Sequence, residues 1–395
     1  MNRPSHILPV IIFSQFTGTS LWFAGNAIVL DLQRDWGLAG QSVGYITAAV
    51  QLGFIFGTLV FAFLAIADRY SPRLVFFLCS IIGAFSNIAL LAIPEGLSGL
   101  LLLRFATGFF LAGIYPVGMK IAAGWFDKGL GRALGYLVGA LVLGTAFPHL
   151  IRAMGTELPW QQVIIGVSVL AAIGGLMMCL LVPDGPHLHK GSTFNPKALA
   201  FIFRSKRFRA SAFGYFGHMW ELYALWAFIP VWLLVYSDLN DANLNVSLWS
   251  FLIIAIGFIG CAGGGLISIK SGSAKVAAWQ LGISGICCLL SPLFFNAELT
   301  VFIIFLLIWG LTVIGDSPQF STLNAENAPK EYVGSALTIV NSIGFLITVF
   351  SIQLVNSLLA VIEPDYIFWL LIPGPVLGLW AMRSLYGDQG PGKSG

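Results

Sequence analysis

The sequence predicts an all-α membrane protein with twelve transmembrane helices, arranged as two six-helix halves. Of its 395 residues, 57% are hydrophobic and only 9% are charged, whereas soluble domains carry about 25% charged residues. The mean hydropathy is +0.88, and apolar runs of about 20 residues, the length that crosses a bilayer, recur along the whole chain. A water-soluble fold could not bury so much apolar surface.

The apolar runs are continuous rather than alternating, which indicates helices and not the strands of a membrane barrel. The first run is too long for the core of a signal peptide, and eleven similar runs follow it, so we read it as an uncleaved span. We place the twelve spans near residues 7–33, 43–66, 74–94, 100–123, 132–154, 161–182, 210–236, 247–269, 276–294, 299–322, 332–359 and 366–384.

The basic residues predict the side of the membrane on which each loop lies, because Lys and Arg are retained in short cytoplasmic loops. With a cytoplasmic N-terminus, 20 minus 3 gives 17 basic residues on that side or at its boundary, the exceptions being Arg34, Arg104 and Arg152. The opposite loops collect acidic residues. We therefore expect both termini in the cytoplasm, in the inner membrane of a bacterium. The net charge of +3 follows from this topology and does not indicate nucleic-acid binding.

An internal repeat divides the chain into halves. Two glycines and a proline of span four recur in span ten at an offset of 202 residues: Gly108, Gly113 and Pro116 match Gly310, Gly315 and Pro318. The longest cytoplasmic connection separates spans six and seven. We therefore predict a first half over 1–182, a linker over 183–209, a second half over 210–385 and a tail over 386–395. Two parallel repeats place a solute site near mid-membrane, at their interface.

The loop between spans two and three resembles a signature of the major facilitator superfamily, Gly-x-x-x-Asp-Arg-x-Gly-Arg-Arg. Asp68, Arg69 and Arg73 occupy matching positions, whereas Leu64 and Ser71 stand in place of the two glycines. The resemblance extends over nearly the whole chain. It implies the fold of that superfamily, with alternating access to a central cavity lined by spans one, four, seven and ten.

Span four strengthens the resemblance, because Leu100, Arg104 and Gly108 match the family pattern Leu-x-x-x-Arg-x-x-x-Gly. The family's matching Arg implies a role for Arg104 in coupling or in balancing the charge of a substrate. In span five, Ala140 stands where the drug-antiporter branch has a proline. This difference favours a function other than drug export.

Polar and aromatic side chains at helical spacing form one face of each span that the resemblance places at the cavity. Aromatic side chains at such spacing more often serve packing, so we expect one or two of them to touch solute. The candidate substrate-cavity residues are Gln15, Thr19, Trp22, Asn26, Arg104, Tyr115, Trp220, Trp309, Thr312 and Gln319.

Three titratable residues of spans seven and ten are candidates for proton coupling. Glu221 lies roughly 18 Å into span seven at 1.5 Å per residue, where an ionised side chain costs about 2.5–3.5 kcal/mol, so a functional role is favoured over a structural hydrogen bond. His218 stands within reach of Glu221 and is either a proton relay or a packed histidine. Asp316 precedes Pro318, which loosens the helix; it either contacts substrate or protons or caps the helix locally.

The partial loop signature predicts a gating cluster of Asp68, Arg69, Arg73 and Arg132 at the cytoplasmic ends of the helices. We expect Asp68 to hold the two halves together there when the cavity opens outward. Its expected partners are Arg132, at the start of span five, and the positive N-terminus of span eleven. The alternative is a solvated loop acid.

These features predict a secondary active transporter that imports a small organic solute together with protons. An organic anion, neutralised by Arg104, is one such solute. A proton-coupled exporter of drugs or metabolites is the nearest alternative. A non-transporting membrane sensor or an intramembrane enzyme is the alternative of another class, but the chain has no Walker-type loop and no Gly-x-Ser-x-Gly element. We expect a monomer whose partners are the lipid bilayer, the solute and protons, with no cofactor, metal, nucleic acid or enzymatic activity.

Overall fold

The computed structural model describes residues 4–126, 130–155, 158–188 and 201–387, without the side chains of residues 130–132 and 387. Within these ranges the chain is all-helical. Eleven helices are long and apolar enough to cross a membrane, and a first, interrupted apolar helix precedes them. The prediction of a twelve-helix membrane protein is therefore confirmed.

The helices follow the predicted spans to within about seven residues at each end, and the largest differences are at the end of α3 and the start of α12. The first half contains α1 (Ile7–Thr19, Ala24–Ala27 and Val29–Asp35), α2 (Ser42–Phe63), α3 (Pro72–Ile88), α4 (Leu97–Leu111 and Tyr115–Trp125), α5 (Leu130–Ala153) and α6 (Trp160–Leu181). The second half contains α7 (Lys206–Leu239), α8 (Val246–Ala255 and Gly257–Ser271), α9 (Ser273–Phe295), α10 (Leu299–Val313 and Ser317–Asn327), α11 (Val333–Leu358) and α12 (Pro373–Gly387), with 3₁₀ turns over Pro364–Leu371 before α12.

The helix bundle has two sides, at opposite ends of the helices. The side where α1 begins, α6 connects to α7 and α12 ends is called the terminal side. The opposite side, where α1 ends and α2 begins, is called the distal side.

Helices α4 and α10 are interrupted at equivalent places, residues 112–114 and 314–316. In each case the next segment has a proline in its first turn, Pro116 or Pro318. A proline has no N–H to bond the carbonyl four residues earlier, so the helix is broken there. The two breaks are 202 residues apart, the offset of the sequence repeat.

The repeated glycines allow close helix packing in both halves. A Cβ on Gly108 of α4 would come within 2.0 Å of the Val50 carbonyl oxygen of α2, and a Cβ on Gly310 of α10 within 2.0 Å of the Ile253 carbonyl oxygen of α8. A side chain at either position would push the two backbones apart. The glycine match between the halves thus reflects a shared packing requirement.

On the distal side, α2 of the first half contacts α11 of the second. The Gly44 N–H donates to Asn356 Oδ1 (3.3 Å), and Gln353 Nε2 donates to the Gly44 carbonyl (3.0 Å). A Cβ on Gly44 would lie 2.2 Å from Asn356 Cγ. The two halves are therefore in direct contact at this end of the bundle.

Ion pairs on the distal side connect helices within the first half. Arg152 at the end of α5 donates from Nε and Nη2 to the two carboxylate oxygens of Asp31, both at 2.8 Å. Arg34 contacts Asp31 at 3.3 Å and Asp35 at 2.9 Å. These contacts fix the last segment of α1 against α5.

Candidate functional site

An aromatic cluster lies where the two halves meet inside the bundle. It consists of Trp22 of α1, Phe54 of α2, Tyr223 of α7 and Phe345 of α11, and each of these residues is at most 4% exposed. The Trp22 ring lies 5.8 Å from Tyr223 and 5.5 Å from Phe345, nearly parallel to both. Phe54 and Phe345 are 4.6 Å apart. Two rings from each half therefore meet at this point of the contact between the halves.

Trp22 reaches this position because α1 is interrupted between Thr19 and Ala24. The hydrophobic run predicted one unbroken span, and residues 20–23 contain no proline to reveal the break. Arg104 of α4 stabilises it, because its Nη2 donates to the carbonyls of Leu21 (2.8 Å) and Trp22 (2.6 Å). In an unbroken helix these carbonyls would accept from N–H groups four residues later.

Arg104 is 2% exposed. Its Nη1 donates to Asn87 Oδ1 at 3.0 Å, and Asn87 in turn donates to Ser168 of α6 at 3.0 Å. None of the ion pairs found in the described part of the chain includes Arg104. Arg104 therefore joins α4 to α1 and α3, and Asn87 continues this network to α6 inside the first half.

Neutral polar groups border the aromatic cluster. Trp22 Nε1 donates to Gln51 Oε1 of α2 at 3.2 Å, and Asn26 donates to Thr47 Oγ1 at 2.7 Å. Gln51 Nε2 and Trp226 Nε1 are buried donors without a hydrogen-bond partner among the described residues. The Trp226 ring contacts Tyr223 at 5.5 Å.

His218 and Asp316 form a buried pair in the second half. His218 Nδ1 of α7 lies 2.8 Å from Asp316 Oδ1, at the break of α10, and both side chains are 1% exposed. The His218 ring also contacts Tyr215 and Phe320, with centroid distances of 5.9 Å. His218 thus pairs with Asp316, whereas the spacing along α7 had suggested Glu221.

Glu221 of α7 is 1% exposed, and its side chain contacts α9 and α10. Its Oε1 accepts hydrogen bonds from Ser284 Oγ, from Trp309 Nε1 at 2.7 Å and from Cys288 Sγ at 3.3 Å. It makes no ion pair with any residue that the structure describes. The carboxyl is therefore enclosed by neutral donors.

The other predicted cavity residues take different positions. Tyr115 contacts Trp22 at 6.4 Å and so lies beside the aromatic cluster. Trp220 donates to the Leu370 carbonyl (3.0 Å), which places it against the turns before α12. Thr19 and Thr312 bond carbonyls of their own helices, whereas Gln15 and Gln319 are buried. The predicted set thus includes residues at the contact between the halves and residues inside each half.

The predicted gating residues lie on the terminal side. Asp68 forms an ion pair with Lys120 of α4, and Arg73 Nη1 donates to the Cys179 carbonyl at 3.3 Å. Arg69 is exposed. The side chain of Arg132 lies outside the described residues, so its proposed pairing with Asp68 stays a prediction. The described ion pair of Asp68 is within the first half.

Several residues of the candidate site lie outside the four spans that the resemblance assigned to the cavity, and the sequence did not predict them. Gln51, Phe54 and Phe345 lie on α2 and α11. His149 of α5, a buried histidine with Nε2 unpartnered among the described residues, was not among the candidates either. Polar residues such as Gln51 and His149 within an apolar span are the signal that would have found them.

Comparison with known proteins agrees with this architecture. A profile of the Major Facilitator Superfamily matches residues 10–352. The chain belongs to this superfamily. No curated protein matches the chain in sequence.

Crystal structures of other transporters have the same fold as this superfamily member. A mutant of the nucleoside transporter NupG matches with a TM-score of 0.74 and 14% identity, covering 96% of this chain and 100% of that chain. A bacterial homologue of the human lysosomal transporter Spinster, inward-facing and unoccupied, matches with a TM-score of 0.71 and 14% identity, covering 99% of this chain and 100% of that chain. Identities of this size establish the fold alone.

Proposed function

We propose that this superfamily member is a secondary active transporter that imports a small organic solute by alternating access, driven by protons. It works as a monomer in the cytoplasmic membrane of a bacterium, with the terminal side of the bundle in the cytoplasm. The superfamily fold supports transport. Ala140, at the place of the drug-antiporter proline, favours a function other than drug export.

The observation that carries proton coupling is the enclosed carboxyl of Glu221, which has no ion-pair partner among the described residues. An uncompensated charge is costly inside a membrane protein. The carboxyl therefore holds a proton while it is enclosed and releases it when conformational change admits water. The titratable groups around it are Cys288, in hydrogen-bond contact, and Cys287 and Asp316, which interact with it electrostatically.

The His218–Asp316 pair is the second coupling group in this proposal. Its charges balance each other when His218 is protonated and Asp316 is ionised, so it is stable in a buried place where a single charge is not. Because Asp316 lies at the break of α10, a change in the protonation of the pair alters the contact between α7 and the α10 break. This connects proton binding to helix movement.

Arg104 was the cation expected to neutralise an anionic solute. Its Nη atoms donate to Asn87 and to the α1 carbonyls, and its Nε has no hydrogen-bond partner among the described residues. With both Nη atoms bonded inside the first half, a solute without net charge is favoured over an organic anion.

Flux into proteoliposomes tests the proposed function. Purified protein is reconstituted, and uptake of labelled nucleobases, amino acids, sugars and carboxylates is measured with the outside acidic, with no gradient, and with a protonophore. We expect at least one solute to accumulate only when the outside is acidic. Accumulation without a gradient would contradict proton coupling, and no flux beyond that of empty liposomes would favour the sensor.

A further inference from the structure

The aromatic cluster has faces that become uncovered when the halves separate. Trp22 belongs to the first half, and its ring covers Tyr223 and Phe345 of the second half at interplanar angles of 27° and 23°. Alternating access moves one half against the other. Separation at this point leaves the Tyr223 and Phe345 rings without the flat partner that they have here.

Two buried hydrogen-bond donors border the same cluster. Gln51 receives the Trp22 N–H on Oε1, while its Nε2 has no partner among the described residues. Trp226 Nε1, next to Tyr223, is likewise unpartnered in the described part of the chain. Buried donors are almost always satisfied in native proteins, and an unsatisfied one calls for an explanation. A ligand with acceptor atoms would satisfy both.

The surroundings of the cluster are neutral. The groups that border the rings are the amide of Gln51, the indole of Trp226 and the phenol of Tyr115. The Nη atoms of Arg104 donate to the main-chain carbonyls of Leu21 and Trp22 and to Asn87, so they are used inside the first half. A charged ligand would find no counter-charge among these groups.

We propose that this cluster recognises a flat, uncharged ring compound carrying hydrogen-bond acceptors, which stacks on Tyr223 and Phe345 in place of Trp22. The acceptors bond Gln51 Nε2 and Trp226 Nε1. The inference names the substrate class of the transport site and so rests on the proposed function. It follows from the stacking geometry and from the two unpartnered donors.

Equilibrium binding to the protein in lipid nanodiscs tests this inference without any gradient. The probes are labelled uracil, hypoxanthine and nicotinamide, which are flat, neutral and rich in acceptors. Cyclohexanecarboxamide retains the amide of nicotinamide but is not flat, and nicotinate is flat but anionic. We expect saturable binding of at least one flat neutral probe, with the two comparison compounds binding at least about tenfold more weakly.

Variants assign the binding to the cluster. Gln51→Leu and Trp226→Phe each remove one donor, and we expect each to weaken binding roughly three- to tenfold. Gln41→Leu and Trp279→Phe are matched changes at exposed positions, and they should leave affinity unchanged. Thermal unfolding of every variant separates loss of affinity from loss of folding.

The outcomes also separate this inference from the proposed function. Tighter binding of nicotinate or cyclohexanecarboxamide than of nicotinamide would overturn the inference, and so would the absence of saturable binding by all three flat probes. Accumulation of a different solute class in proteoliposomes would then leave the transport function intact. Binding of flat probes without flux would instead retain the site and reject the transporter.

Discussion

Glu221 is the residue on which proton coupling depends most directly. A Gln at this position keeps an acceptor oxygen for Ser284 and Trp309, so the local structure should persist, but it cannot carry the proton. We expect Glu221→Gln to retain solute binding and counterflow exchange, with exchange independent of pH. It should lose accumulation driven by an acidic exterior. Uptake and counterflow by the same proteoliposomes measure both properties.

The matched control for this change is Glu298→Gln, an exposed acid on the distal side. It should accumulate solute as the unmodified protein does. Undiminished, pH-dependent accumulation by Glu221→Gln would transfer the coupling role to Asp316. In that case the single substitution Asp316→Asn, which removes the acid that faces His218, should be sufficient to abolish accumulation.

Arg104 is expected to stabilise the break in α1. Arg104→Leu leaves the Leu21 and Trp22 carbonyls unpaired, at about 1–3 kcal/mol each. This loss of stability is partly offset, because the substitution also removes a buried charge. We therefore expect the free energy of unfolding to fall by about 2 kcal/mol, measured as a lower unfolding temperature in detergent. Arg383→Leu, at an exposed position, serves as the control, and equal unfolding temperatures for the two variants would contradict this role.

Residue types at helical spacing indicated Trp22, Glu221, His218 and Asp316 as candidate site residues. A polar or aromatic face can be recognised from the sequence of a single helix. Their partners could not be predicted in the same way. Whether His218 pairs with Glu221 or with Asp316 depends on how α7 and α10 are rotated against each other. That rotation is determined by packing between segments distant in sequence. The spacing of residues within α7 carries no information about this packing.

At the scale of elements, the contact between α2 and α11 is expected to control opening of the distal side. Gly44→Ala would place a Cβ 2.2 Å from Asn356 Cγ and 2.6 Å from Asn356 Cβ. Because Asn356 Cβ is attached to the backbone, α11 itself must move. Overpacking of this kind costs about 1–3 kcal/mol, which corresponds to a population shift of roughly 5- to 150-fold toward the distal-open state.

Distances between spin labels at positions 41 and 360, one on each half, measure this shift. We expect the Gly44→Ala variant to populate longer distances than the parent protein. Gly40→Ala is the control, since a Cβ at Gly40 meets nothing within 4 Å. If both variants give the parent distribution, the α2–α11 contact does not hold the distal side closed.

The breaks in the helices show what the sequence reveals at this scale. Those of α4 and α10 could be expected, because Pro116 and Pro318 each lack the N–H that an unbroken helix needs. The break of α1 has no such local cause. It depends on hydrogen bonds from Arg104, which is about eighty residues away in sequence, so the run of hydrophobic residues indicated a continuous span.

At the scale of the whole molecule, apolar run lengths fixed the number of helices because a span must match the bilayer thickness. The residues at which the two halves meet could not be predicted from run lengths. Trp22, Phe54, Tyr223 and Phe345 come from four helices in both halves. Their meeting depends on the relative position of two bundles, and the same position determines that Gly44 faces Asn356.

The distribution of basic residues along the sequence predicts the orientation of the whole molecule in the membrane. The twelve-span topology predicted from the sequence assigns 17 of the 20 basic residues to the cytoplasmic side or its boundary, and Lys and Arg are retained in the cytoplasm during insertion. In a cysteine-free background, we therefore expect a membrane-impermeant maleimide to label Asn240→Cys, on the distal side, in intact cells. Lys330→Cys, on the terminal side, should react only after permeabilisation. Both positions are exposed, so differences in labelling report the side of the membrane rather than burial, and labelling of Lys330→Cys alone in intact cells would reverse the orientation.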